Sequence, residues 1–226
     1  MASSHSTLKP LILHSHASGP NPPKVAIVLE VLGIPYTVKT WQFGDGINGV
    51  KGPVFTKINP NGRVPALQDS NTDITSWESG AVINYLLRVY DKQNVLGPRR
   101  DSEQAHVEFD KWIFFLLSSL GPMQGQVNWF AHFHPSKNED ALTRYREQTL
   151  RTYGVLEGQL ESHGGLSVLP QGFSAVDAHF IPWVKIHGFA GVDLAPYPHV
   201  SKWLEAMLAK EEVKAAYERI GSGENV

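Results

Sequence analysis

The 226-residue chain carries 20 Lys and Arg against 22 Asp and Glu, a formal net charge of -2, with 42% hydrophobic and 19% charged residues. Those proportions suit a protein with a sizeable buried core, in one large domain or two small ones. The even charge balance leaves no electrostatic footprint for nucleic acid or an anionic membrane, and the absence of cysteine removes disulfides, thiolate metal sites and a cysteine nucleophile together.

From Met1 to Lys9 the sequence is rich in Ser and His and has no apolar signal core, and no stretch is apolar enough to span a bilayer. A cytoplasmic location is expected on that ground. Leu11-Ile12-Leu13 reads as a short strand, followed by a cluster of breakers from Ser15 to Pro23. Val25, Ala26, Val28, Leu29 and Leu32 then recur at helical spacing, and Gly33 stands where a helix would stop. Tyr36 to Thr40 is a second strand, and a connection through a helix makes the two strands parallel. Ala66 to Asp69 and Ile74-Thr75 form a hairpin across the turn residues Ser70 to Asp73. Ala81, Val82, Tyr85, Leu86, Val89 and Tyr90 give the following helix one apolar face. The order β-α-β, short helix, β-β-α is that of a thioredoxin-like half, assigned to residues 1–91.

Residues 92–101 read as a polar linker punctuated by Gly and Pro, and residues 102–226 as an all-α domain. Ser102 caps a long helix carrying Phe109, Trp112, Ile113 and Leu116, with Gly121-Pro122 as a kink or an end. A second long helix runs from about Glu139 to Ser162. Ser174 and Asp177 have the spacing of a capping box, and two short helices, near Val200 to Leu208 and Glu212 to Ile220, complete the domain.

The most informative stretch is Asn59-Pro60-Asn61-Gly62-Arg63-Val64-Pro65-Ala66-Leu67, followed by Trp77-Glu78-Ser79-Gly80-Ala81. A cis Val64-Pro65 bond before a strand would turn the backbone and free the N–H and C=O of Val64 for a ligand. Glu78 and Ser79 open a helix whose unpaired N–H groups and positive dipole end suit a carboxylate. The Ser79 hydroxyl adds a donor, and Glu78 takes an ammonium. Separately, a Val-Pro turn and a Glu-Ser cap are commonplace; together, in this order of elements, they describe a clamp for a small peptide with its own carboxylate and amine. The pairs His14-x-His16 and His132-x-His134 lack a third ligand at a fitting spacing, so no metal is expected. Arg144, Arg146 and Arg151 read as a solvated face.

With those motifs in place the chain resembles a cytosolic glutathione transferase, from Leu11 to Ile220. Within that family, Gly19 to Val25, Gly121 to Gln126 and Arg144-Tyr145 resemble the fungal nitrogen-regulator subgroup and the related bacterial disulfide-bond reductases of the nu class. The resemblance implies an α/β thioredoxin-like N-terminal domain plus an all-α C-terminal helical domain, glutathione as co-substrate, and a homodimer. It also implies that Val64 pairs with the cysteinyl backbone, that Glu78 and Ser79 hold the γ-glutamyl end, and that Arg63 helps position the tripeptide. The subgroup's glycine-carboxylate-binding histidine aligns near Val50, leaving Lys51 or Lys57 to take that role. Trp129, Phe130 and Phe133 are candidates for a second-substrate pocket, with simple packing as the competing reading.

Activating the thiol requires lowering its pKa from about 8.5 by roughly two units, or about 2.7 kcal/mol of preferential interaction with the thiolate. The donors belong in the loop between the first strand and the first helix. Ser15, Ser18, Asn21 and the backbone of Gly19 are available there, and Gly19 stands where the bacterial reductases carry a threonine. Asn21 matches the subgroup's usual asparagine, with Ser18 as the second catalytic candidate. The expected function is thiolate transfer to small electrophiles, with disulfide or peroxide reduction as related outcomes; the alternative is a non-catalytic module of the same fold that binds a partner protein.

Overall fold

The computed structural model of the chain describes residues 8–226; most of the Ser/His-rich stretch from Met1 lies outside them. Tertiary contacts divide the chain into two units. One runs to Leu96 and resumes over Ala209–Val226, and the other is Gly97–Leu208.

In the first unit, β1 (Leu11–Ser15) and β2 (Tyr36–Thr40) pair in parallel, Leu11 opposite Tyr36 and Ser15 opposite Thr40, on either side of α1 (Asn21–Leu32). A turn of 3-10 helix (Phe55–Lys57) precedes β3 (Ala66–Asp69) and β4 (Ile74–Trp77), an antiparallel hairpin whose β3 also pairs antiparallel with β1. α2 (Ser79–Val89) follows. Gly33 ends α1 with a φ of 64°, the left-handed conformation that glycine takes without a Cβ penalty. The expected linker is drawn into this unit as far as residue 96. The Asp91 carboxylate accepts the N–H groups of Val95 at 2.6 Å and Leu96 at 2.9 Å, and Leu96 is buried.

The sequence-based boundary at residues 102–226 differs from the structure at the C-terminal end. α8 (Glu211–Gly221) lies against α1 with Val213, Ala216 and Ile220 buried. β5 (Glu224–Asn225) then adds itself in parallel to β2, giving the sheet order β4-β3-β1-β2-β5. The reason lies in α1, whose residues from Pro22 to Leu29 are all buried: it is apolar on more faces than a sheet and α2 can cover. Arg219 of α8 completes the seam, with Nε 3.2 Å from Glu30 and Nη1 donating to the Tyr36 carbonyl at 3.2 Å. At Gly223 a Cβ would stand 2.5 Å from the Thr40 hydroxyl, so only glycine lets the chain reach β2.

The second unit is helical. Ser102 caps α3 (Glu103–Phe115), its hydroxyl accepting the Ala105 N–H at 3.2 Å. The chain stays helical through a π turn (Leu116–Leu120) into α4 (Gly121–Asn128) and a second π turn (Trp129–Phe133). Gly121-Pro122 is thus where π pitch returns to α pitch. α5 spans Glu139–Ser162, and α6 (Ala175–Lys185) opens on the capping box of Ser174 and Asp177. α7 (Pro198–Leu208) starts where Glu157 of α5 accepts the backbone N–H groups of His199 and Val200.

Candidate functional site

The proline loop is held by one buried amide. Asn59 accepts the Asn61 N–H at 2.9 Å and donates from Nδ2 to the Arg63 carbonyl at 2.5 Å. Gly62, at φ 62°, makes the turn between them. The Val64-Pro65 bond is cis, and among the described residues the Val64 N–H and C=O have no hydrogen-bond partner. The Val64 side chain packs on a cluster of Trp41, Val50, Phe55 and Ala66, so its backbone is presented from a firm base. Val50 is part of that base, buried beneath the loop.

Across from this loop is the head of α2. Glu78 is its N-cap residue, yet its carboxylate makes no capping bond and is exposed, while its φ is 69°. A non-glycine residue at positive φ costs about 1–3 kcal/mol and persists where surrounding structure imposes it. Ser79 is buried behind it.

Asn21, Asn59, Asn61, Arg63, Val64, Pro65, Glu78 and Ser79 line one pocket of about 330 Å³. The structure therefore brings together five of the residues singled out by sequence, Asn21, Arg63, Val64, Glu78 and Ser79. Others lie elsewhere. Ser18 is exposed and outside the lining, its hydroxyl 3.1 Å from His16 Nδ1. Ser15 is the buried last residue of β1, not part of the loop, and donates to the His16 carbonyl at 3.1 Å. Gly19 is exposed at φ 119°, and Lys51 and Lys57 are exposed outside the lining. Pro20, Pro22 and Pro23 carry no N–H, so Asn21 supplies the one backbone donor between residues 20 and 23 as well as a side-chain amide.

Sequence reading passed over three residues here. Asn59 and Asn61 stand inside the quoted motif, where an Asn-x-Asn-Gly run signals a side-chain-stabilised turn. Lys24 is the third, fully buried in α1 with Nζ 3.5 Å from Ser79 Oγ. Burial pushes its pKa down to about 7, against the pull of the Glu78 carboxylate. A lysine set directly before the apolar run Val25 to Leu29 was the available signal.

The histidines of the two His-x-His pairs have local partners. Trp41 Nε1 donates to His14 Nδ1 at 2.9 Å, which puts the ring proton on Nε2, 2.9 Å from Gln68 Oε1; burial lowers the pKa of this ring. His132 stacks on Phe189 with centroids 4.1 Å apart, and His134 is bonded to Ser136. Among the described residues no group of three or more His, Cys, Asp or Glu side chains is placed to hold a metal ion. Trp129, Phe130 and Phe133 share the second π turn: Trp129 and Phe133 are exposed and stacked at 6.4 Å, and Phe130 stacks on Tyr145 at 5.7 Å. Arg144, Arg146 and Arg151 are exposed.

This clamp on a thioredoxin-like sheet, followed by a helical unit, defines a class. The family model for the glutathione S-transferase N-terminal domain matches residues 9–88, and that for the C-terminal domain matches residues 120–211. The chain belongs to the glutathione S-transferase family. It is 39% identical over 207 residues to the glutathione S-transferase-like protein gedE of Aspergillus terreus, covering 87% of this chain and 89% of that protein. Protein URE2 of Candida albicans is 34% identical over 239 residues, 90% of this chain and 68% of that protein. Among solved structures, the glutathione transferase URE2P6 from Phanerochaete chrysosporium, in complex with oxidized glutathione, superposes with a TM-score of 0.84 at 34% identity, covering 96% of this chain and 98% of that one. The relatives thus include both fungal transferase-like and URE2-type proteins.

Proposed function

We propose that the chain binds glutathione in the pocket of its first unit and holds the thiol as a thiolate for attack on small electrophiles. One observation carries this reading: the partnerless Val64 backbone, the Glu78-Ser79 pair and Asn21 at the head of α1 line the same cavity. In it, Val64 pairs with the cysteinyl backbone, Ser79 donates to the γ-glutamyl carboxylate, Glu78 takes the ammonium, and Arg63 steadies the tripeptide. Asn21 donates to the sulfur. Charge-assisted hydrogen bonds of the ordinary strength, about 1.5–3 kcal/mol each, suffice to supply the roughly 2.7 kcal/mol that a two-unit drop in thiol pKa demands.

The thiolate then displaces a leaving group such as halide from carbon, forming the C–S bond while the halide departs with the bonding pair. With a disulfide, it forms a mixed disulfide and expels the other thiolate; a second glutathione completes the reduction and leaves oxidised glutathione. Because the chain has no cysteine, both reducing equivalents come from glutathione. The apolar second substrate is assigned to Trp129, Phe130 and Phe133, and the protein is proposed to act as a cytoplasmic homodimer.

The competing reading is a glutathione-fold module that binds a partner without turnover; relatives named as transferases and as URE2 are both similar to this chain. Both readings share a first test. The purified protein is expected to be retained on glutathione agarose, and Ser79→Ala to weaken retention markedly; unchanged retention would remove Ser79 from the site. Turnover of an aryl halide and reduction of hydroxyethyl disulfide, each with and without Asn21→Ala, then separate them. Tight glutathione binding with no activity toward either electrophile favours the module.

A further inference from the structure

Lys24 is the one charged side chain among the buried residues of α1, and it reaches Ser79 of the pocket lining from the protein interior. Its Nζ lies 3.5 Å from Ser79 Oγ. An ammonium has only protons to give, so toward Ser79 it donates and occupies an oxygen lone pair. The Ser79 proton is then turned away from Lys24 and free to be donated into the pocket. Glu78, next to Ser79, is the charged group that acts on Lys24, and its carboxylate is exposed on the pocket wall.

Resting on the glutathione reading above, we infer that Lys24 is a positioning residue of the γ-glutamyl subsite: it aims the Ser79 hydroxyl at the ligand carboxylate and serves as the buried countercharge for it. A consequence follows from the charge. With its pKa lowered to about 7, Lys24 is in large part neutral in the empty protein at mildly alkaline pH. A carboxylate seated on Ser79 favours the ammonium form, while the ligand's own ammonium goes to the exposed Glu78. Binding therefore draws a proton onto Lys24, and affinity falls as the pH rises past 7.

The other charged groups on elements packed against α1 are engaged elsewhere. On α8, Arg219 is paired with Glu30 near the far end of α1, Lys214 with Glu211 at 2.8 Å, and Glu212 and Glu218 are exposed. On β1, His14 is turned to Gln68 and Trp41. On α2, Arg88 lies in the last turn, at the opposite end from Ser79.

The test is isothermal titration with S-methylglutathione, whose sulfur has no proton to lose, in phosphate and in Tris at pH 7.5. The dependence of the heat on buffer ionisation enthalpy gives the protons exchanged. Wild type is expected to take up about 0.3–0.8 proton per site at pH 7.5 and close to none at pH 6, with affinity dropping about fivefold between pH 6.5 and 8. Lys24→Arg, permanently charged, is expected to lose both the uptake and the pH dependence, and it subtracts any proton taken up by the ligand amine. Lys24→Met is expected to lower affinity by tenfold or more without uptake. Wild-type binding with no proton uptake at pH 7.5, or uptake persisting undiminished in Lys24→Arg, overturns the inference and leaves the glutathione site standing. No binding by wild type takes down the glutathione reading as well. Absence of proton uptake by wild type overturns the inference even if a Lys24 variant does not fold, and Lys24→Arg and Lys24→Met give two independent variants by which uptake is assigned to Lys24.

Discussion

Glu78 shows at the level of one residue how a site departs from ordinary folding rules. A Glu-Ser pair at a helix start reads from sequence as a cap, but here the carboxylate caps nothing, and the backbone is held at φ 69°. The carboxylate stands in the pocket lining instead. Glu78→Gly is accordingly expected to leave stability within about 1 kcal/mol of wild type, since relief of the positive φ offsets the greater chain entropy of glycine. Retention on glutathione agarose is expected to fall in the same variant, by loss of the ammonium partner. A thermal scan beside the binding measurement checks both, and full retention would rule out the carboxylate as that partner. Asn59 works the other way, holding the loop by its side chain. Asn59→Ala breaks two hydrogen bonds in a buried setting and is expected to cost about 2 kcal/mol while weakening the ligand.

Among the elements, α6 and α7 are each fixed at their heads by a carboxylate. Asp177 is buried and accepts from Val168 N at 2.8 Å, Ser174 N at 2.9 Å and Trp203 Nε1 at 2.9 Å. Asp177→Ala leaves those donors stranded and is expected to cost about 3–5 kcal/mol, a fall in melting temperature of roughly 10 °C in a chain of this size. Glu157 accepts from the His199 N–H and Nδ1 and from the Val200 N–H at the head of α7. Burial alone would raise its pKa; these donors outweigh that and hold it below the ordinary 4.5. A carboxyl depressed in the folded state contributes stability in full above its ordinary value and loses it as the pH falls through the depressed one. Acid unfolding below pH 4.5 is therefore expected to be shallower in Glu157→Gln, which is also less stable at neutral pH. Circular dichroism against pH reads the slope, and an unchanged slope would remove Glu157 from the acid transition.

For the whole molecule, the C-terminal segment is the element whose unit sequence order misassigned. Deleting residues 209–226 strips α8 from α1 and β5 from β2, exposing apolar surface on the helix that begins at Asn21. The truncated protein is expected to lose glutathione retention and to show fast amide exchange in α1 and β2, although no pocket residue has been removed. Retained binding would show that the first unit stands without α8. The proposed homodimer is checked by light scattering, with twice the monomer mass expected.

The local elements were legible because each is written in a local signal. Strand β2, helix α5, the Gly33 stop, and the caps at Ser102 and Ser174 all depend on residues within a few positions of one another. So was half of the site, since the proline loop and the Glu78-Ser79 pair are contiguous motifs. What the sequence left open depends on contacts between distant residues. Ser15 reads as a loop donor until β1 buries it, Lys57 reads as a ligand group until its turn places it outside the lining, and Lys24 reads as a helix lysine until α1 sets its Nζ 3.5 Å from Ser79 Oγ. By itself the sequence determined the order of elements from β1 to α2, the clamp motifs and the absence of any protein thiol, because composition, periodicity and capping are local quantities. Tertiary structure alone decided where α8 belongs and which polar groups share one cavity, because burial and the pairing of buried charge are set by neighbours far away in the chain.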